Sequence, residues 1–221
     1  MYTPKHFDPT DTATLHALMR AQPLATLITL ASSGLDANHV PLHLSAELGP
    51  LGTLRGHVAR GNPLWKEPTP EQEVLAVFHG VQAYVSPNWY PSKADNGKAV
   101  PTWNYAVVHA HGTLKVVQDA RWLRAHLDAL TAHHEASQAP PWQPSDAPAD
   151  YLEKMMGGVI GIEIEITRLS GKFKLSQNQT APNQTGVIQG LRATGLASNL
   201  AMAQWVAQVN APLKAVSQAP D

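Results

Sequence analysis

Between Val159 and Ile166 the chain alternates with a strict period of two. Ile160, Ile162, Ile164 and Ile166 fall on one side, and Val159, Gly161, Glu163 and Glu165 on the other. A strand with one buried face sorts its residues this way. The segment Asn104–Val117 repeats the pattern, with Ala106, Val108 and Ala110 set against Val107, His109 and His111. Gly112 within it marks a bulge or a close backbone approach. Shorter runs precede these two: Leu24–Leu30, Asp36–Leu44 after a turn at Ser32–Gly34, and Leu51–Val58 after Gly49–Gly52. Glu73–Phe78 and Val81–Val85 read as a pair around His79-Gly80. Short strands punctuated by turn residues at this spacing predict an antiparallel barrel or sandwich.

Helical periodicity appears at the margins. Asp11–Ala21 places Leu15, Leu18 and Met19 on one face, with Asp8 or Thr10 as its cap and Pro23 as its stop. Ala120–Glu135 repeats Trp122, Leu123, His126, Leu127 and Leu130 at helical spacing. After the proline-rich connector Ala139–Pro148, a short helix Ala149–Met156 is expected, capped near Asp146 and broken by Gly157-Gly158. A C-terminal helix is expected over Thr185–Asn210, weakened by Gly190 and Gly195, with a frayed tail from Ala211. No internal repeat or linker divides the chain. Residues 1–221 read as a single domain, with a barrel core over about 24–166 and an extension over about 167–221.

Composition removes several classes of function. Sixteen Lys and Arg offset seventeen Asp and Glu, and no basic run occurs, so the electrostatic footprint of a nucleic-acid binder is missing. Zero cysteines exclude disulfides, thiolate catalysis and Cys-ligated metals. The polar, proline-punctuated start Met1–Thr10 is unlike a signal peptide, and no apolar run approaches a membrane span, so a cytoplasmic protein is expected. Eleven histidines invite a metal hypothesis. His109 with His111, and His133-His134 before Glu135, each supply half a site, and nothing in the spacing brings a third ligand; no metal is expected. Phosphate-binding glycine loops and nucleophile-elbow or S-x-x-K signatures are absent.

The stretch Val81–His111 is the chemically unusual one. Trp89, Tyr90 and Trp103 sit among prolines, beside Ser86, Ser92, Lys93 and Thr102. Amphipathic rings on a proline-fixed backbone suit a pocket wall facing a planar, anionic ligand, although they could equally plug a barrel end. Arg60 and Asn62 follow the strand ending at His57-Val58, and Lys172, Lys174, Ser176 and Gln177 follow the last strand. Such cations and hydroxyls can jointly hold a phosphate, or can each be a solvated loop group.

Specific motifs run through the chain in order: M-Y-T-P-K-H-F at Met1–Phe7, P-L-A-T-L-I-T at Pro23–Thr29 and G-H-V-A-R-G-N-P-L-W at Gly56–Trp65. They continue with Y-V-S-P-N-W-Y-P-S-K at Tyr84–Lys93, V-P-T-W-N-Y-A-V-V-H at Val100–His109, G-I-E-I-E-I at Gly161–Ile166 and G-K-F-K-L-S-Q-N-Q at Gly171–Gln179. Together the sequence resembles the PaiB-type FMN-binding negative transcriptional regulators, within the split β-barrel superfamily of pyridoxamine-phosphate-oxidase-like flavoproteins. That resemblance implies a mainly β (α+β) fold, an antiparallel split β-barrel with peripheral helices and a C-terminal helix. It also implies FMN as cofactor and a homodimer with FMN at the subunit interface.

Residue by residue, His57–Pro63 resembles the segment that meets the FMN phosphate, with Arg60 and Asn62 in those roles. Thr102, Trp103 and Asn104 resemble the entry to the strand lining the flavin. With Trp89, Ser92, Lys93, Lys174 and Gln177 they make up the expected cofactor-binding set; no catalytic residue is assigned. The substrate-phosphate arginine pattern of the oxidases is missing, so pyridoxamine phosphate oxidation is not implied. Neutral charge and the lack of a helix-turn-helix argue against direct DNA binding. A flavin-binding regulator is the leading expectation; an FMN-dependent oxidoreductase or a haem-handling split barrel are the alternatives.

Overall fold

The computed structural model describes residues 1–9, 11–66 and 73–211. Its elements are α1 (Thr12–Ala21), β1 (Leu24–Ala31), β2 (Gly34–Pro41), β3 (His43–Ser45), β4 (Thr53–Ala59), β5 (Glu73–Val85) and α2 (Lys93–Asn96). There follow β6 (Thr102–Val117), α3 (Ala120–Glu135), α4 (Ala149–Gly157), β7 (Val159–Lys174), α5 (Ala181–Ala193) and α6 (Ala197–Val209). The described residues gather into two compact units. One holds Met1, the stretch up to His79 and Val108–Ser170; the other holds Tyr2–Pro9, Gly80–Val107 and the residues from Gly171 on.

In the first unit the strands lie in the order β2-β1-β5-β6-β7-β4-β3, an antiparallel sheet. The isoleucines Ile160, Ile162, Ile164 and Ile166 of β7 are all buried, so the alternation read from the sequence faces the core as expected. The register sets Arg55 opposite Glu163 and His57 opposite Gly161. Gly161 is there for space: a Cβ would lie 2.5 Å from the Trp122 ring. Trp122 can therefore settle on the sheet, where it donates through Nε1 to Glu163 Oε2 at 3.3 Å. Helix α1 is capped by Asp11, whose carboxylate accepts from the Thr14 N–H at 2.8 Å. The cap is thus Asp11 and not the expected Asp8; the other expected cap, Thr10, and the tail beyond Ala211 lie outside the described residues.

The second unit contains the far halves of β5, β6 and β7 with α2, α5 and α6. Val187, Leu191, Met202, Ala203 and Val206 from α5 and α6 are fully buried. Gly190 gives the Trp89 indole its seat, since a Cβ there would fall 2.3 Å from the ring.

Four expectations need correction. The C-terminal helix is two helices, because Gly195 at φ +69° takes the left-handed conformation that ends α5. The run Glu73–Val85 is one strand; β5 lies between β1 and β6, and an interior position tolerates His79-Gly80 where local propensity reads a break. The run Asp36–Leu44 is interrupted at Leu42, which separates β2 from β3. Helix α4 starts after Pro148 with no side-chain cap; Asp146 instead accepts from the Gln143 N–H, one turn earlier.

Candidate functional site

His57, Arg60 and Asn62 belong to the first unit, on β4 and the loop that leaves it. Asn62 caps the short 3-10 turn Pro63–Trp65, its Oδ1 accepting from the Leu64 N–H at 2.8 Å, while its amide donates to Asn38 Oδ1 at 2.8 Å. The Asn62 side chain is thus spent on shaping the loop. Arg60 is tied to the end of α4, its backbone N–H donating to Gly158 O at 2.8 Å and its Nε to Gly157 O at 2.7 Å. A helix C-terminus carries partial negative charge, so this contact both orients and satisfies the guanidinium. Among the described residues no hydrogen bond engages its terminal nitrogens. Arg60 lines a cavity of about 370 Å³, together with the apolar Leu123, Leu152 and Met156 and the charged Arg124 and Glu153.

Behind the same strand, His57 Nδ1 lies 3.2 Å from His126 Nε2, and His126 stacks on Trp122 with ring centroids 5.3 Å apart. His126 is 3% exposed and its Nδ1 has no partner among the described residues. Burial, followed by the charges of His57, His43 and Arg55, lowers the His126 pKa to about 4. Burial lowers His57 as well. Both rings are neutral at pH 7 and carry one shared N–H between them.

The other expected residues belong to the second unit and divide into three groups. Ser92, Thr102, Asn104 and Lys174 line one polar pocket of about 240 Å³. Trp89 and Lys93 line a shallower groove with Gly186 and Gly190, and Lys93 donates to Asn88 Oδ1. Trp103 and Gln177 line neither. Trp103 is 53% exposed and meets Tyr84 edge-on, while the Gln177 side chain folds back on its own turn, accepting from the Leu175 N–H and donating to Phe173 O. Asn38, His126 and Asn183 were missed in the sequence. Each acts through a partner at least 24 residues away, so local motif reading had no signal for it.

The donor set of the first unit fits a flavin nucleotide. A phosphate dianion needs a fixed cation with open donors, which Arg60 supplies, and a planar ring needs an apolar wall, which the adjoining cavity has.

Comparison with known proteins agrees with this chemistry. Residues 1–168 match the family described as "Putative FMN-binding domain". An uncharacterised protein of Emericella nidulans is 37% identical over 82% of this chain and 86% of its own length. The protease synthase and sporulation protein PAI 2 of Bacillus subtilis is 28% identical over 87% of this chain and 89% of its own. Among solved structures, the FAD and heme binding protein from Mycobacterium smegmatis shares the fold with a TM-score of 0.57 at 16% identity, covering 76% of this chain and 73% of that one. The chain therefore belongs to the FMN-binding domain family, as a split-barrel flavoprotein related to PAI 2 whose cofactor is FMN.

Proposed function

We propose that this protein is a cytoplasmic, homodimeric, FMN-binding regulator of the PaiB type, and that Arg60 holds the FMN phosphate. The relative's name, which links it to protease synthesis and sporulation, supports a role in controlling expression. The observation that carries the site is the Arg60 guanidinium itself, fixed at Nε by Gly157 O, on a residue that lines a partly apolar cavity. Asn62 acts as a positioning residue by holding the loop against Asn38. Bound FMN supplies a ring that takes up and returns electrons. A net charge of −1 supplies no broad positive field for operator DNA, which argues against direct operator contact.

Arg60→Ala should weaken FMN roughly a hundredfold, because a charge-assisted phosphate contact is lost, and should leave riboflavin, which has no phosphate, nearly unchanged. Parallel titrations followed by flavin fluorescence test this. Equal losses for both flavins would reduce Arg60 to its contact with α4, and a wild-type protein that binds neither would sink the flavin reading. Steady turnover of an acceptor with NAD(P)H would make the protein an oxidoreductase instead.

The dimer reading rests on an apolar sheet face. The register puts Leu24, Thr26 and Ile28 of β1 on the same side as Leu75 and Val77 of β5, and the hairpin adds Leu35 and Ala37. Leu24 is 59% and Leu35 81% exposed. A second copy covers such a face with identical surface. Wild-type protein should sediment as a dimer at micromolar concentration and Leu24→Glu/Leu35→Glu as a monomer; a monomeric wild type rejects the reading.

A further inference from the structure

The polar pocket of the second unit is built for an anion. Its walls include Lys98 and Lys174 and, among the described residues, no acidic residue. Lys174 donates to Thr102 Oγ1, and among the described residues no carboxylate pairs with it. Burial holds its ammonium below the ordinary lysine range, a cost that a bound negative charge reverses.

The hydroxyls around it are oriented by what they already accept. Thr102 Oγ1 takes a hydrogen bond from Lys174, Ser176 Oγ from the Asn104 amide at 2.9 Å, and Ser92 Oγ from the Asn183 amide at 2.9 Å. Each hydroxyl therefore has its own proton left to give. All three hydroxyl residues and Lys174 line this one pocket, whose walls carry no carboxylate among the described residues. Asn104 is 1% exposed, and it and Asn183 hold the hydroxyls from below as a supporting shell.

The backbone beside these hydroxyls is held in an uncommon conformation. Ser176 has φ +65°, the one non-glycine residue with positive φ among the described residues. Strain of this kind persists where surrounding structure enforces it. Here the Gln184 amide donates to Ser176 O at 3.1 Å, and the Asn210 amide to the adjacent Leu175 O at 2.9 Å. A volume of about 240 Å³ is below the roughly 300 Å³ at which sites for drug-sized ligands begin, and suits a compact group.

We propose that this pocket is a second ligand site, which takes a small phosphate-bearing anion in addition to the flavin phosphate assigned to Arg60. Tetrahedral phosphate matches three hydroxyl donors around one ammonium, with lysine acting as the point charge.

The test is made on FMN-saturated protein, so that the Arg60 seat is filled, with inorganic phosphate and glycerol phosphate as separate probes. Either probe should raise the melting temperature and titrate to saturation without releasing flavin. Tighter binding of glycerol phosphate identifies an organic phosphate as the ligand; equal binding identifies the free ion. Lys174→Met should weaken the probe roughly tenfold to a hundredfold. Ser92→Ala, a milder change, should weaken it severalfold and covers the case in which the lysine variant fails to fold. The site is refuted if neither probe binds at tens of millimolar, if both variants bind as wild type does, or if phosphate expels flavin in step with its own binding. Protein that refuses FMN altogether overturns the flavin reading alone, and the same titration on that protein, with Arg60→Ala as control, still decides the pocket.

Discussion

Gly112→Ala should cost on the order of 3 kcal/mol or more and lower the melting temperature by roughly 6–12 °C. On β6, an added Cβ would stand 2.2 Å from Glu165 O and 2.8 Å from Ile164 Cγ2, both on the neighbouring strand β7. The nearer obstacle is backbone in the middle of a sheet, which cannot swing aside as a side-chain end can. Relief requires β6 and β7 to separate, and Ile164 is fully buried, so the separation opens the core. Against a total stability of about 5–15 kcal/mol this is a large fraction. Gly157→Ala is the matched control. It ends α4, nothing among the described residues lies within 4 Å of its added Cβ, and helix propensity favours alanine there. Urea unfolding should separate the two variants clearly; a Gly112→Ala midpoint equal to that of Gly157→Ala would mean that β6 and β7 approach less closely than described.

The same glycine illustrates how far the sequence could be read. A glycine in an otherwise alternating strand implies a bulge or a close approach, and the close approach is what β6 and β7 make. Helix α3 was legible to the residue, because Leu123 and His126 recur on a buried face; the Asp119 cap that fixes its start was not read from the sequence. Strand β7 was legible only to Ile166. Beyond it Thr167 and Arg168 break the apolar alternation while the strand continues to Lys174. The limits at the site are of another kind. Arg60 and Asn62 are adjacent to a strand end, so their chemistry could be suspected locally. Nothing local announces that Asn62 reaches back to Asn38, or that Thr102 meets Lys174 across 72 residues. Such pairings are products of topology, and a residue type alone does not distinguish Lys174, poised in a pocket, from Lys93, bonded to nearby Asn88.

Acid should weaken the fold through His126, by about 2 kcal/mol at pH 5 and about 3 kcal/mol once titration is complete. The group is held near 4 in the folded protein against an ordinary value of 6.5, so between those values the unfolded chain binds the extra proton and the folded chain refuses it. Stability is therefore full above about pH 6.5, falls as pH drops through that window, and levels off below 4. The refusal has a structural cause. Protonated His126 would need a second donor position at Nδ1, which is buried without a partner among the described residues, and at Nε2 it already faces His57 at 3.2 Å. His43 and Arg55 add positive charge nearby. Glu163 could offset it, but is already occupied by Arg55 at 3.0 Å and by Trp122 at 3.3 Å. His126→Gln keeps a polar side chain and removes the titration, so its stability should depend on pH less steeply than wild type, by up to one proton across pH 6.5–4. Denaturant midpoints measured at pH 7.5, 6 and 4.5 give both slopes. Parallel slopes for the two proteins would mean that His126 takes its proton in the fold as readily as in water, and that the packing of Trp122, His126 and His57 is looser than these distances describe.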